Sequence, residues 1–187
     1  PLHVGDKFKY KITQRNSPGS TTYSYSGYTV TSTMTGINGK EYFYCSGFPA
    51  NPNKWLRVDA ATSNLFYYKA TPGGHCGNRY LNEELIDSLN MVNTEVAFCD
   101  QFETRVGTAA PYTLFGITNN VKHFRKQTSS IAGIEWIKSY SDKFGLKGYS
   151  MYEFGAGYNN TTIYELVGCY IDGELFGDTS LASVGIV

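Results

Sequence analysis

Cysteine and histidine are the residues of this chain best suited to nucleophilic or metal chemistry. The chain contains four cysteines, Cys45, Cys76, Cys99 and Cys169, and three histidines. His75 and Cys76 are adjacent in a glycine-rich stretch. A nucleophilic thiol needs a base that a third group positions, and a structural zinc ion needs about four ligands. No other cysteine or histidine stands at ligand spacing from this pair, so the sequence predicts no catalytic residue, no metal site and no cofactor site there.

Acidic residues form two further clusters that deserve testing as paired carboxylates or calcium ligands. They comprise Glu83, Glu84 and Asp87 in the middle of the chain, and Asp172, Glu174 and Asp178 near its end. An acid/base pair is defined by its separation in three dimensions, and the alternating Asp-x-Asp-x-Asp-Gly pattern of a calcium loop is missing. The preference of Asp for tight turns accounts for Asp172 without a ligand. A bound cation near Asp178 is the remaining functional alternative for this cluster. We therefore expect a protein that is not an enzyme.

The charge balance argues against two classes of partner, nucleic acids and anionic membranes. Lys plus Arg and Asp plus Glu are 16 each, so the net charge is +0, and the basic surface that nucleic acid or an anionic membrane requires is lacking. No apolar run approaches the roughly 20 residues that span a bilayer. We expect neither a nucleic-acid partner nor membrane insertion.

Aromatic content and periodicity indicate strands. Aromatic residues make up 16% of the chain, with 16 tyrosines, and such side chains suit a pleated, half-buried sheet. In residues 7–12 the apolar residues alternate strictly with three lysines, which is the period of two of a strand with one packed face. Asn38-Gly39 predicts a two-residue type I′ hairpin turn, and residues 54–59 and 64–68 read as antiparallel neighbours.

The predicted fold is therefore all-β. We expect residues 1–187 to form a single β domain, an antiparallel meander that makes a β-barrel or a clam-like β-sandwich. At most one short helix is expected. Residues 82–89 are the candidate, because Asn82 could cap a helix with two acids in its first turn, although the same residues also suit a strand.

The end of the chain carries the clearest turn and a family resemblance. Asp172-Gly173 is the strongest short signal for a type I′ hairpin, since both residues tolerate positive φ. The surrounding segment, VGCYIDGELFGDTSL over residues 167–181, resembles the region just before the C-terminal sorting domain of type IX secretion system cargo proteins in the Bacteroidota and Ignavibacteria. Residues 55–59, Trp136 and residues 144–146 follow a similar order, more loosely.

The resemblance implies a secreted chain, at the cell surface or outside the cell, and carries over no catalytic residues. A chain that begins at Pro1 suits a mature protein that has lost a targeting segment. In an exported chain, four cysteines suggest two disulfides among three connectivities. We favour Cys76 with Cys99 and Cys45 with Cys169, and free buried thiols are the alternative. Asp87-Ser88-Leu89 resembles a Bacteroidota-type O-glycosylation acceptor, which makes Ser88 a candidate modification site.

Tyrosine richness and apolar end segments suggest the kind of function. The tyrosines are too many to be interior in one domain, and exposed tyrosine suits protein interfaces and sugar rings alike. The leading hypothesis is a structural protein that forms a homo-oligomer or polymer, a filament or surface layer, through segments 1–5 and 180–187. The interface residues would be Leu2, Val4, Leu181, Val184, Ile186 and Val187. The alternatives are an extracellular module that binds a glycan or small ligand and, less expected, a hydrolase with a convergent carboxylate pair or a Cys–His contact.

Overall fold

The fold consists of β-strands in the part of the chain that can be described. The computed structural model describes residues 2–49, 54–70, 82–88, 95–98, 101–127, 133–155, 157–178 and 180. No α-helix occurs in these ranges. The thirteen strands are β1 (Lys7–Asn16), β2 (Ser20–Thr35), β3 (Glu41–Ser46), β4 (Lys54–Val58), β5 (Asn64–Tyr68), β6 (Glu83–Ser88), β7 (Glu95–Phe98), β8 (Gln101–Leu114), β9 (Ile117–Gln127), β10 (Gly133–Ser141), β11 (Gly145–Gly155), β12 (Tyr158–Ile171) and β13 (Glu174–Gly177).

All pairings between these strands are antiparallel, and they form one sheet of unusual width. Its order is β6-β5-β4-β3-β2-β1-β12-β11-β10-β9-β8-β7, with β13 paired to β12 beside this path. Neighbours are consecutive along the chain everywhere except at β1–β12, so two meanders, β1–β6 and β7–β12, join at that single pair. The all-β meander is confirmed. The barrel alternative is wrong, because β6 and β7 do not pair with each other, and the clam-like alternative agrees with the structure.

The alternation predicted for the first strand holds at Phe8 and Tyr10 but not at Ile12, which is only partly buried, and it defines an inner and an outer face of the sheet. Phe8 and Tyr10 are buried in β1, while the lysines between them are only partly buried. Phe8 lies opposite Tyr28 of β2 and Cys169 of β12, and facing residues of antiparallel strands share a face. A register shift between Lys9 and Tyr10 then allows β1 to follow β12 along its length.

The core lies on the inner face and draws on both meanders, which shows that the sheet folds over on itself. Its buried members are Phe8, Tyr10, Tyr28, Val30, Cys45, Phe48, Leu56 and Leu65 from the first meander and its loops, and Phe124, Tyr140, Phe144, Leu146, Leu166 and Cys169 from the second. Aromatic rings dominate the contacts: Phe8 stacks on Tyr28 with centroids 4.3 Å apart, and Phe144 meets Phe176 edge to face at 5.2 Å.

Along one of its edges, strand β12 pairs with two different strands, one after the other. Residues 158–165 pair with β11, whereas residues 168–171 pair with β13, and β1 runs along the opposite side of both parts. The closing hairpin therefore takes the place of β11 at one end of the sheet. Here β11 and β12 of the second meander part, while β1 and β12 stay paired.

Of the two predicted type I′ turns, one is present in the structure and the other is not. Asp172 and Gly173 both have positive φ, 52° and 85°, which confirms the type I′ hairpin. Asn38-Gly39 does not form the predicted two-residue turn, because only Gly39 has positive φ and the Gly36 N–H donates to the Lys40 carbonyl across a longer loop. Residues 83–88 are a strand, so the helix alternative is wrong; Asn82 has positive φ and is buried, which is not the geometry of a helix cap.

Candidate functional site

The most exposed structured region is the hairpin between β1 and β2, which we call the arm (residues 14–26). Every residue of the arm is exposed, on both faces of the hairpin. Within β2, only residues 29–35 pair with β3. Among the described residues, 20–26 are therefore hydrogen-bonded to β1 alone, and their other edge is open. Unpaired N–H and C=O groups on such an edge are a template for another strand.

Two tyrosines of the arm lie over lysines on the outer face of the sheet. Tyr23 is 64% exposed and Tyr25 62%. The Lys11 Nζ lies 4.8 Å from the Tyr23 ring centroid, and the Lys9 Nζ lies 5.0 Å from that of Tyr25. Cation–π contacts of this kind hold the rings in place without covering them. The prediction that tyrosines remain outside the core is confirmed at these two positions.

Charges from distant parts of the chain meet near the base of the arm. Lys9 Nζ donates to Asp178 Oδ2 and to Ser180 Oγ, both at 2.7 Å. The contact with Lys9 lowers the pKa of Asp178 to about 2. Asp178 is thus paired with a lysine of this chain, and the described residues around it form no group that could hold the metal cation considered as an alternative. Segment 181–187, which includes the predicted interface residues Leu181, Val184, Ile186 and Val187, lies outside the described residues.

At the other end of the chain, the two predicted interface residues differ in burial. Leu2 packs against the core, whereas Val4 is 55% exposed. Between them and β1, the buried carboxylate of Asp6 accepts hydrogen bonds from the backbone N–H groups of His3 at 2.8 Å and Asp172 at 3.1 Å. This clamp fixes the beginning of the described chain onto the closing hairpin.

Cys45 and Cys169 are buried free thiols. The predicted Cys45–Cys169 disulfide is therefore absent from the structure, and these two residues match the alternative of buried thiols instead. Burial first, and the charge of Asp6 second, raise the pKa of each thiol to about 12. At neutral pH both behave as small apolar core residues. Cys76, Cys99 and His75, with the other predicted pairing, lie outside the described residues.

Of the acidic cluster in the middle of the chain, Glu83 belongs to a buried ion network, and the side chains of Glu84 and Asp87 lie outside the described part of the structure. Glu83, whose side chain is 1% exposed, accepts hydrogen bonds from Arg57 at 2.7 Å, Tyr42 at 2.6 Å and Lys40 at 2.6 Å. Arg57 also contacts Asp59 at 2.8 Å. Burial would raise the pKa of Glu83, but these donors hold it below its ordinary value. Both carboxylate oxygens are fully engaged, which suits a structural role.

A cleft of about 410 Å³ is lined by residues of both meanders. The lining includes core aromatic residues, further apolar residues and several polar ones. The aromatic residues are Phe8, Tyr28, Tyr140 and Phe144, the other apolar ones Leu2, Val58, Ala109 and Ile171, and the polar ones Ser63, Asn120, Lys122, Ser141, Asp142 and Lys143. The sequence did not single out the polar lining residues, because most of them come from β9 and from the end of β10 and the turn after it.

Other sequence candidates have separate locations. Ser88 is the last residue of β6, at one edge of the sheet. His123 is exposed on the outer face, with its Nδ1 2.8 Å from Ser139 Oγ, and burial by its neighbours together with Lys147 lowers its pKa. Trp55 packs against Tyr44 with centroids 5.0 Å apart, and Trp136 lies under the Lys126 ammonium at 5.3 Å. Neither tryptophan lines the cleft.

Comparisons with known proteins leave the family of this chain open. No family model, no curated protein and no solved structure matches it. Among the residues described above, no group of three or more His, Cys, Asp or Glu side chains is arranged to hold a metal ion. The same part of the chain contains no helix that is long and apolar enough to cross a membrane.

Proposed function

We propose that this chain is a non-enzymatic extracellular structural protein that assembles with copies of itself into a filament or surface layer. The observation that carries the proposal is the open edge of β2 in the arm, residues 20–26, exposed on both faces. A sheet that is uncovered on both sides buries little apolar area of its own, and pairing with another chain satisfies its backbone groups. The arm is thus built to receive a strand.

Three other edges of the sheet carry features that discourage pairing, and the arm edge does not. β6 contains Glu84 and Asp87, β7 begins with Glu95, and the uncovered part of β8 contains Pro111. Charges and proline are the usual means by which proteins protect an edge strand. Residues 20–26 read STTYSYS and contain neither. This contrast supports the arm as the edge at which assembly takes place.

The segment that fits this edge is residues 181–187 of a second copy. Its sequence, LASVGIV, is uncharged and rich in β-branched and aliphatic residues, which favour strands. The contacts of Lys9 with Asp178 and Ser180 hold Ser180, the residue before this segment, at the outer face of β1, where Lys9 also contacts Tyr25 of the arm. Seven extended residues span about 23–25 Å, which is long enough to pair with all of residues 20–26. Main-chain hydrogen bonds would supply affinity, and the tyrosine faces would add contact area.

Secretion to the cell surface or beyond is part of the proposal. It is supported by the resemblance of residues 167–181 to type IX secretion cargo proteins. Labelling of intact cells of the source organism with an antibody to this chain tests it. Surface labelling without permeabilisation is the expected result, and labelling that requires permeabilisation would contradict it.

Truncation tests the assembly. The full chain and a chain ending at Ser180 are compared by light scattering coupled to size exclusion and by negative-stain electron microscopy. We expect polymers from the full chain and monomers from the shorter one. A full chain that stays monomeric at high concentration, or polymers that survive truncation, would contradict the proposal.

Substitution at the arm edge provides a matched pair. Thr22→Lys places a charge on the open edge of β2 and is expected to abolish assembly, while Thr113→Lys places the same charge on the exposed part of β8 and is expected to leave it intact. Both residues are exposed, so the fold is expected to tolerate both changes. Equal effects of the two substitutions would show that the arm has no special role.

A further inference from the structure

We propose that residues 181–187, the terminal segment, pair in the monomer with the open edge of the arm of their own chain, and that assembly begins when this segment moves to a second copy. This pairing rests on the proposed function, in which residues 20–26 accept a strand. It adds a device that keeps single chains apart. The segment that links copies also covers, within each monomer, the edge at which they are linked.

The chain just before the terminal segment is held at the base of its own arm. The Asp178 backbone N–H donates to the Val167 carbonyl at 2.8 Å, which continues the pairing of the closing hairpin with β12. Lys9 Nζ donates to Asp178 Oδ2 and to Ser180 Oγ, and the Ser180 backbone N–H donates to Asp178 Oδ1 at 2.9 Å. We call these contacts the latch. The same ammonium lies 5.0 Å from the ring centroid of Tyr25, so the latch brings Ser180 to the strand whose edge is open.

The position of the latch leaves the terminal segment one direction along the open edge. Lys9 lies opposite Gly27 of β2, directly before the arm. From Thr29 onward the same edge of β2 pairs with β3, so the open part runs only outward, from residue 26 to residue 20. A segment that follows this edge from the latch runs opposite to β2 and adds an antiparallel strand. The pairings of β2 with β1 and with β3 are antiparallel as well, and antiparallel strands need only a short connection.

The terminal segment is long enough to reach this edge but not to cover all of it in its own chain. Neighbouring strands lie about 4.8 Å apart and an extended residue spans roughly 3.4 Å, so about three residues carry the chain from the latch across β2. About four residues of the segment then remain to pair in the monomer. A segment from a second copy does not have to cross β2 and can pair along its whole length. Proximity therefore favours pairing within one chain, and length favours pairing between chains.

The composition of the terminal segment suits both pairings. Its sequence, LASVGIV, has no charge and several aliphatic side chains. On the outer face these side chains would lie beside Tyr23 and Tyr25, which are 64% and 62% exposed, and aromatic–aliphatic pairs stabilise neighbouring strands. A tethered strand meets its partner at an effective concentration of about 1 mM. Monomers therefore resist assembly until their own concentration is high or the latch opens.

Hydrogen exchange tests the pairing within one chain. The full chain is compared with the chain ending at Ser180, both at a concentration at which light scattering shows monomers. We expect the amides of residues 20–26 to exchange several-fold more slowly in the full chain, and those of β10 to exchange equally in both. Val184→Pro in the full chain removes a backbone donor from the middle of the segment and is expected to speed exchange at residues 20–26 as truncation does. Equal exchange at residues 20–26 in all three proteins would overturn the proposal.

A matched pair of lysines tests the latch. Lys9→Met removes the latch and the contact with Tyr25, whereas Lys11→Met removes only the equivalent contact with Tyr23. We expect Lys9→Met to speed exchange at residues 20–26 and to lower the concentration at which assembly begins several-fold, and Lys11→Met to change neither. The same result from both substitutions would refute the role of the latch.

The exchange experiment also separates this pairing from the assembly itself. Exchange at residues 20–26 that truncation speeds, in a chain that never polymerises, would support pairing within one chain and contradict the proposed function. Polymers from a chain whose monomer exchanges equally fast at residues 20–26 with and without the terminal segment would overturn pairing within one chain and leave the proposed function standing.

Discussion

The carboxylate of Asp6 accepts a hydrogen bond from the backbone N–H of Asp172 at 3.1 Å, across 166 positions of the sequence. The same carboxylate accepts from the His3 N–H and is buried. Asp6→Ala leaves both N–H groups without this acceptor, and a lost hydrogen bond to a charged group costs about 1.5–3 kcal/mol. We expect the free energy of unfolding, measured in urea, to fall by about 3 kcal/mol.

A matched control for Asp6 lies in the hairpin that it clamps. Glu174 is exposed, so Glu174→Ala is expected to change the free energy of unfolding by less than about 0.5 kcal/mol. If Asp6→Ala were equally mild, the clamp would have no role in holding the closing hairpin.

The buried network around Glu83 predicts loss of stability in acid. The pKa of Glu83 is lowered in the folded state, so its contribution is present above the unfolded pKa of about 4.3 and is lost as the pH falls through the lower folded value. Glu83→Gln breaks contacts to Arg57 and Lys40 and is expected to cost about 3 kcal/mol at pH 7. Urea unfolding at pH 7, 5 and 3.5 should show this difference shrinking toward acid.

Glu41 provides the comparison for the acid experiment. It lies on β3 and is exposed, so Glu41→Gln should follow the wild-type protein at every pH. A difference between Glu83→Gln and the wild type that stays constant with pH would mean that ionisation of Glu83 does not contribute to folding.

The two core thiols are predicted to be unreactive in the folded protein. The pKa of each is about 12 and both side chains are fully buried. Because the thiolate is the reactive species, iodoacetamide at pH 8 should label Cys45 and Cys169 only after unfolding in urea. Peptide mapping by mass spectrometry reads both sites separately from Cys76 and Cys99. Rapid labelling of either site in the native protein would contradict the structure.

Substitutions at two glycines of the closing hairpin distinguish the cost of backbone strain from the cost of steric clash. Both glycines have positive φ, +85° at Gly173 and +73° at Gly177. A Cβ added to Gly173 would meet nothing within 4 Å. A Cβ added to Gly177 would lie 2.5 Å from the Val167 carbonyl oxygen and against the Phe115 ring. Gly173→Ala should cost about 1–2 kcal/mol from positive φ alone. Gly177→Ala should cost about 1–3 kcal/mol more, because the neighbours must move. Equal losses in thermal or urea unfolding would show that the Phe115 contact is not tight.

The tyrosines of the arm should affect assembly more than folding. Tyr23→Ser with Tyr25→Ser removes the two exposed rings, and each change at the surface is expected to cost at most about 0.5 kcal/mol of stability. Light scattering should show a several-fold higher concentration for the onset of assembly. Ile37→Ser, at a residue that is 76% exposed outside the arm, is the control and should leave the onset unchanged. A similar onset for the double variant and the control would remove the tyrosines from the interface.

Local patterning predicted most strands of the fold, and long-range geometry accounts for what it missed. The alternation of Phe8 and Tyr10 with lysines, and the Asp172-Gly173 turn, depend on residues adjacent in sequence, and both were predicted correctly. Closure of the sheet was not predictable, because whether β6 meets β7 depends on the curvature summed over the whole sheet. Residues 83–88 form a strand that pairs with β5, and Glu83 contacts Arg57 and Lys40 of distant segments; local helix signals include neither kind of interaction.

The candidate surfaces also divide into features that the sequence predicts and features that depend on long-range geometry. Exposed tyrosines were predicted from their number alone. The open edge of the arm arises because β2 has 16 residues and β3 only 6, so a comparison of strand lengths in the sequence could have revealed it. The cleft could not have been found this way, because its walls unite β9 and the turn after β10 with Leu2 and Val58 of the other meander.

The single non-consecutive pair in the sheet, β1 with β12, has a consequence for how the chain folds. Each meander contains only hairpin neighbours, which form quickly because their contacts are close in sequence. Joining β1 to β12 brings Phe8 to Cys169 and closes a loop of most of the chain, at an entropic cost that grows with loop length. Folding is therefore expected to proceed as two meanders that collapse separately and then dock, with substitutions along β1 and β12 slowing the final step.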